Sequence, residues 1–240
     1  MKQPEYKFHD LINLSYGAAS KICPKLTEII GVPQSVIDLG GGAGSWCQAF
    51  KQIGSSRVCC IDHPSVLTSG RLLIDETEFI PADISKELPP IKPCDLAIST
   101  EFCEHIAKSR SEILVDFLTK SSKIVLFSAA IPRQGGIGHI NEQRPNFWQA
   151  LFLERGYQRI DAIRPLILSD STIPAYLRQN LYLYVESKMV EKIPEKFRQS
   201  FIPDEFEIVE TRLLERPLGL SEVIREIPLA LSRAVKNRLL

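Results

Sequence analysis

The chain has 240 residues, 44% of them hydrophobic and 24% charged, with 29 basic and 29 acidic side chains. That length suits one full-sized domain with an appendage, and the composition excludes wholesale disorder, collagen-like repeats and coiled coil. Zero net charge argues against a generic nucleic-acid binder, which carries a basic surplus to displace counterions.

Residues 1–17 are polar and read as a leading arm. No leader with an apolar core follows Met1, and no apolar run approaches the roughly 18–20 residues that span a bilayer. A cytoplasmic protein is expected. Six cysteines, Cys23, Cys47, Cys59, Cys60, Cys94 and Cys103, form no C-x-x-C pair. They read as reduced, buried thiols and argue against both a disulfide framework and a paired-cysteine zinc site.

Residues 18–30 have helical spacing, with Pro24 near a turn or break. The clearest signal follows. Val36-Ile37-Asp38-Leu39 is a short apolar strand that runs into Gly40-Gly41-Gly42-Ala43-Gly44. From Ser45 to Ile53 the apolar spacing turns helical. Further strands are expected at 57–61, 78–81, 94–99 and 123–129, with helices at 107–119 and 145–155. Two late strands are expected, at 157–164 and 180–186. Strands alternating with helices predict βαβ units and a doubly wound α/β layer. Residues 187–209 read as a linker or loose excursion. Residues 219–240 read as an amphipathic helix, able to serve homo-oligomer or peripheral contacts. The domain divisions so drawn are 1–30, 31–186 and 187–240.

A strand that ends in Gly-x-Gly-x-Gly and enters a helix brings backbone close to a ligand. The dinucleotide fingerprint G-x-G-x-x-G needs a glycine where Ser45 stands. Asp38, two residues before the turn, suits a ligand with an ammonium and a sulfonium better than a pyrophosphate. Asp62, twenty residues past Gly42, ends the second strand, where an acid can accept bonds from ribose hydroxyls.

At these residues the chain resembles class I S-adenosylmethionine-dependent methyltransferases. The segment Val36 to Trp46 is similar to their first motif, and Ile61-Asp62 to the ribose position. Ala82-Asp83-Ile84 is similar to the adenine-edge position. The segment from Cys94 to Glu101, followed by Glu104-His105-Ile106, resembles the fourth-strand segment of small-molecule enzymes of this class. The resemblance spans about residues 30–186. It implies a Rossmann-like, mostly parallel seven-stranded sheet and S-adenosylmethionine as cofactor. The cofactor contacts it implies are Asp38, Gly40, Gly42, Gly44, Asp62, Asp83, Ile84, Ser99 and Thr100. Ser99-Thr100-Glu101-Phe102 departs from the Asn-Pro-Pro-aromatic signature of base N-methylating enzymes. Residues 176–184 and the 131–146 loop are similar to enzymes of glycan and natural-product pathways, with 176–184 expected as the final strand.

A hydroxyl acceptor must lose its proton, and a histidine suits that task. His139, in the loop after the fifth strand, is the preferred base, with His105 next. Glu142 could orient His139. The spacing of His139, Glu142 and His105 is no ligand signature, so no metal is expected. The expected function is O-methylation of a small molecule such as a sugar or secondary metabolite. The rivals are a catalytically silent scaffold, a nicotinamide oxidoreductase, and an enzyme that methylates protein or RNA.

Overall fold

A computed structural model describes residues 6–198. Its strands are β1 (Ser35–Leu39), β2 (Arg57–Asp62), β3 (Phe79–Pro81), β4 (Leu96–Thr100), β5 (Ile124–Ser128), β6 (Tyr157–Ile160) and β7 (Tyr182–Glu186). The longer helices are α1 (Tyr6–Ile30), α2 (Ser45–Gln52), α4 (Ser111–Ser121) and α5 (Pro145–Glu154). Short ones are α3 (Ser65–Thr68), α6 (Arg164–Ile167), α7 (Ala175–Asn180) and α8 (Glu195–Arg198). One seven-stranded sheet has the order β3-β2-β1-β4-β5-β7-β6. The first five strands are parallel, and β7 runs antiparallel to both β5 and β6. The expected doubly wound, mostly parallel α/β sheet is therefore present. From β1 the chain fills one half of the sheet with β2 and β3, then crosses to fill the other with β4 and β5. Ligands of open α/β sheets bind at such a switch point, beyond the carboxyl ends of the strands.

Both faces of the sheet are covered. Val36 and Ile98 point to one face with Ile22, Leu26 and Phe50, while Ile37 and Ala97 point to the other with Leu114, Leu118 and Trp148. All five residues of β1 are buried, as a central parallel strand requires. On the second face Phe127 meets Trp148 and Phe152, and Phe152 stacks on Tyr184 with ring centroids 3.9 Å apart. This cluster ties α5 to both β5 and β7.

Several expectations need correction. The leading arm is helical from Tyr6, and α1 continues through Pro24 to Ile30. Proline inside a helix loses one hydrogen bond. Here the helix buries Ala19, Ile22, Cys23, Leu26 and Ile29 against the sheet, which offsets that loss. The strand expected at 157–164 ends at Ile160. Asp161 and Arg164 then form a buried ion pair, and Arg164 also donates to the Gln179 carbonyl at 2.9 Å. Residues 176–180, which the resemblance implies as the start of the final strand, belong to the helix α7. Residues 187–198 are not loose: a 3-10 turn over Ser187–Lys192 and then α8 bury Ile193 and Phe197 in the core. The amphipathic 219–240 segment lies outside the described residues. Among the described residues no helix is long and apolar enough to cross a membrane.

Phe152 is completely buried between two rings. Phe152→Ala should lower the unfolding free energy by about 3–5 kcal/mol, as cavity-forming aromatic truncations do. Urea denaturation followed by circular dichroism measures it, and a loss under about 1 kcal/mol would show that the cluster does not organise this face.

Candidate functional site

The turn after β1 is built on glycine conformations. Gly40, Gly42 and Gly44 have φ of +76°, +55° and +84°, all in the left-handed region. Gly44 is the N-cap of α2 and offers no side-chain bond, so Asp38 does not cap that helix. A Cβ at Gly40 would overlap the Phe102 ring, and one at Gly41 would overlap the Asp38 carboxylate. The turn and α2 open onto a cleft of about 160 Å³. Its walls are Gly40 to Ala43, Ser45 and Trp46, with Thr100 from β4 and Ile12 and Ser15 from α1.

Asp38 lies directly beneath this turn. It is 1% exposed, level with Cys60 and Ile98 in the neighbouring strands. Neither carboxylate oxygen has a hydrogen-bond partner among the described residues. Burial, helped by the charge of Asp62, raises its pKa from 3.8 to about 8. An unpartnered buried acid of this kind calls for a nearby cation or retains its proton. The Gly41 backbone packs against its carboxylate, and Asp38 is not among the residues that wall the cleft.

Asp62 stands at the end of β2 beside the turn. One of its oxygens accepts the Gly42 N–H at 2.7 Å and the other accepts the His63 N–H at 2.6 Å. Burial raises its pKa, against the lowering effect of these two bonds. Of the two residues expected after β4, only Thr100 reaches the cleft. Ser99 is fully buried, with its hydroxyl 3.7 Å from the Cys103 thiol. Strand alternation puts the two on opposite faces.

Asp83 and Ile84 do not line this cleft. Asp83 pairs with Lys86 at 2.7 Å and bonds Ser85 at 2.5 Å. These two partners hold its pKa down at about 2. Ile84 is buried in the second core cluster. Both follow β3, whose exit is tied to Asp62 by the Ala82 N–H at 2.8 Å. They therefore neighbour the Asp62 side of the site.

The second group of polar residues follows β4 and β5. Glu101 has a positive φ of 49°, and its N–H donates to both the carbonyl and the hydroxyl of Ser128 at the end of β5. Its carboxylate accepts from Gln134 at 2.7 Å. Residues 103–105 form a 3-10 turn that carries Glu104 and His105. The His105 and His139 rings meet edge to face, with centroids 4.8 Å apart. The structure thus unites the two histidines that the sequence leaves as separate candidates. Glu142 bonds His139 Nδ1 at 3.1 Å, and it also accepts the N–H groups of Arg133 and Gly135. It thereby fixes the ring, where the sequence also offers a solvated loop acid. Gly136 lets the His139 ring pack flat on the loop, since a Cβ there would overlap the imidazole.

Glu104 was not singled out from the sequence. It is 0% exposed, and burial followed by the charge of Glu101 raises its pKa from 4.5 to about 9. The signal available was a charged residue between Cys103 and Ile106, which are both buried.

Residues 13–161, more than half of the chain, match the family model described as a methyltransferase domain. The chain belongs to this family. No curated protein matches it in sequence. A chain in the complex between the Haloferax volcanii Trm112 methyltransferase activator and the putative methyltransferase aligns with TM-score 0.55 and 16% identity. That alignment covers 77% of this chain and 97% of the other. An O-methyltransferase family 2 protein from Planctomyces limnophilus, in complex with apigenin, aligns with TM-score 0.52 and 16% identity, covering 77% and 62%. Human N-acetylserotonin methyltransferase in complex with SAM gives 0.48 and 17%, covering 72% and 51%. This methyltransferase domain thus spans about half the length of the human enzyme. At these identities the likeness is one of fold.

The Asp38 pKa makes a prediction about the ligand-free methyltransferase domain. Between about pH 4 and 8 the native state binds a proton at Asp38 that the unfolded chain has released. Native stability must therefore fall as pH rises through this window. The full chain should melt at a lower temperature at pH 8 than at pH 5, and Asp38→Asn should flatten the difference. An unchanged pH slope in Asp38→Asn would show that Asp38 is not held protonated.

Proposed function

We propose that this methyltransferase domain binds S-adenosylmethionine across the β1 turn and transfers its methyl group to an oxygen of a small-molecule acceptor. The carrying observation is the glycine turn lying over a buried carboxylate that has no partner. A ligand whose amino-acid end carries an ammonium and whose centre carries a sulfonium, with no phosphate, complements that field. A dinucleotide would bring a pyrophosphate to the same place, and Ser45 lacks the glycine that such a ligand uses. In this reading the left-handed glycines let backbone approach the methionine part, with Thr100 and Ser15 at its flanks. The second lone pairs of the Asp62 oxygens accept the ribose hydroxyls. Asp83 and Ile84 stand beyond Asp62, on the adenine side. Ser99 supports from behind the strand and makes no contact.

Bound there, S-adenosylmethionine supplies an electrophilic methyl group on sulfur. The chain's own task is to place an acceptor oxygen in line with it and to receive that oxygen's proton. His105 and His139 are the groups for the proton, held by one rigid corner where the Ile140 and Asn141 N–H groups both donate to the Glu104 carbonyl. His105 is exposed and keeps a lowered pKa, chiefly from partial burial and then from the neighbouring His139, so it stays neutral and able to accept. Ile137 and Ile140, 82% and 65% exposed on the same loop, offer apolar contact to an acceptor skeleton. The O-methyltransferase family 2 protein among the neighbours is in keeping with this reading.

Calorimetric titration tests it. S-adenosylmethionine and its demethylated product should bind with micromolar affinity and NADH should not, and Asp62→Ala should weaken the adenosyl ligands by at least about tenfold. His139→Ala should keep that binding while lowering turnover by about 10²–10⁴ on an acceptor found by screening alcohols and phenols. Absence of adenosyl binding would refute the cofactor assignment, and full activity of both His139→Ala and His105→Ala would refute the proton role.

A further inference from the structure

Glu104 is the least explained polar group in the site. It is fully buried, and neither carboxylate oxygen makes a well-formed hydrogen bond among the described residues, although the backbone N–H groups of Ala130 and of Glu104 itself act on it. Buried acids are ordinarily satisfied by donors or paired with a cation. What faces Glu104 is the Nε2 of His139, at 3.9 Å. That is too long for a hydrogen bond and somewhat wider than the roughly 3.4 Å between two tetrahedral ligands of one ion, so binding would draw the two side chains together by about half an ångström. A ring nitrogen of His105 completes the group, and one ligand atom from each of the three residues lies within 4.8 Å of the others.

The surroundings fit the same reading. His139 has its Nδ1 fixed by Glu142, which leaves Nε2 free to face inward. Metal-binding histidines characteristically donate their other ring nitrogen to a carboxylate in this way. The 3-10 turn is tied to the His139 loop at its backbone, and the Asn141 side chain donates to the Cys103 carbonyl and the Ser111 hydroxyl. The ligand atoms are thus held by bonds that involve none of them.

We infer that Glu104, His105 and His139 form a binding site for a divalent transition-metal ion. Two imidazoles and one carboxylate favour a borderline ion such as zinc, cobalt or iron over magnesium, which prefers oxygen donors. Three protein ligands leave coordination positions open, as in sites that act on substrate and not merely on structure. With exposed His105 as one ligand, those positions are open to an oxygen ligand from solution. The ion's role rests on the methyl-transfer reading, and with the ion bound the two histidines are ligands and not proton acceptors: the ion would bind the acceptor hydroxyl and lower its pKa so that the proton leaves to solvent, with the oxygen aimed at the methyl group. The ion's presence does not depend on that reading.

The test is titration of cobalt(II) alone, with no adenosyl ligand, into the full-length metal-free chain, followed by visible absorption and calorimetry. One equivalent should bind with the absorption bands of nitrogen–oxygen coordination, and magnesium should not displace it. Glu104→Gln preserves shape and removes the buried charge, so it carries little folding risk. This variant, His105→Ala and His139→Ala should each weaken binding by more than about 100-fold, and Glu142→Gln by about 10–100-fold. His63→Ala should leave binding intact. No binding to the wild-type chain would overturn the inference, as would unchanged affinity in both His105→Ala and His139→Ala. Because no adenosyl ligand is present, either result is independent of whether S-adenosylmethionine binds.

Discussion

Two buried carboxylates with no well-formed hydrogen bond among the described residues, Asp38 and Glu104, mark this sheet edge. Each lies where a parallel strand or the turn after it meets the ligand-binding rim, and each is pushed far above its ordinary pKa by burial. Native interiors rarely tolerate such groups without a compensating role. The fold supplies the burial cheaply, because β1 and β4 are the central strands and both faces are already packed. The group that faces Glu104 is a histidine, His139, at 3.9 Å. The two acids therefore define two places where positive charge is favoured, one beneath the glycine turn and one between the β4 and β5 loops.

Much of this was legible in the sequence. The glycine turn could be read because left-handed backbone at Gly40, Gly42 and Gly44 leaves few other residues eligible, and Asp62 because a strand ends there beside it. The helix α1 was harder. Its first turns are polar and its last contain Pro24, so the local pattern understated what burial of Ile22, Leu26 and Ile29 sustains. The segment 175–180 shows the opposite error. Alternation is genuine only from Leu181 onward, while buried Arg178 bonds the Ile173 and Leu168 carbonyls and fixes a helical turn before it.

The site divides along the same line. Thr100 and Ser99 are adjacent in sequence, but strand alternation sends one to the cleft and one into the core. Asp83 sits at the expected place in the chain, yet Lys86 and Ser85 engage its carboxylate at the surface. Glu104 escaped notice because its meaning is tertiary. Nothing in a spacing of more than thirty residues links it to His139; the link is made by β4 and β5 pairing in parallel, with Thr100 level with Ser128, so that both loops leave the same edge.

The order of the strands then gives the division of labour. The β1 turn and the end of β2 carry the glycines and Asp62, which in the proposed reading serve the cofactor. The loops after β4 and β5 carry His105, Glu104 and His139, which in the same reading serve the acceptor. Thr100 stands at the boundary, on the strand that neighbours both β1 and β5. Phe102 packs on Gly40 from the acceptor side, so its ring is one point at which the two halves touch. A methyl group passing from one ligand to the other has to cross that boundary, and the residues best placed to set its geometry are those of the short path from Thr100 to His105.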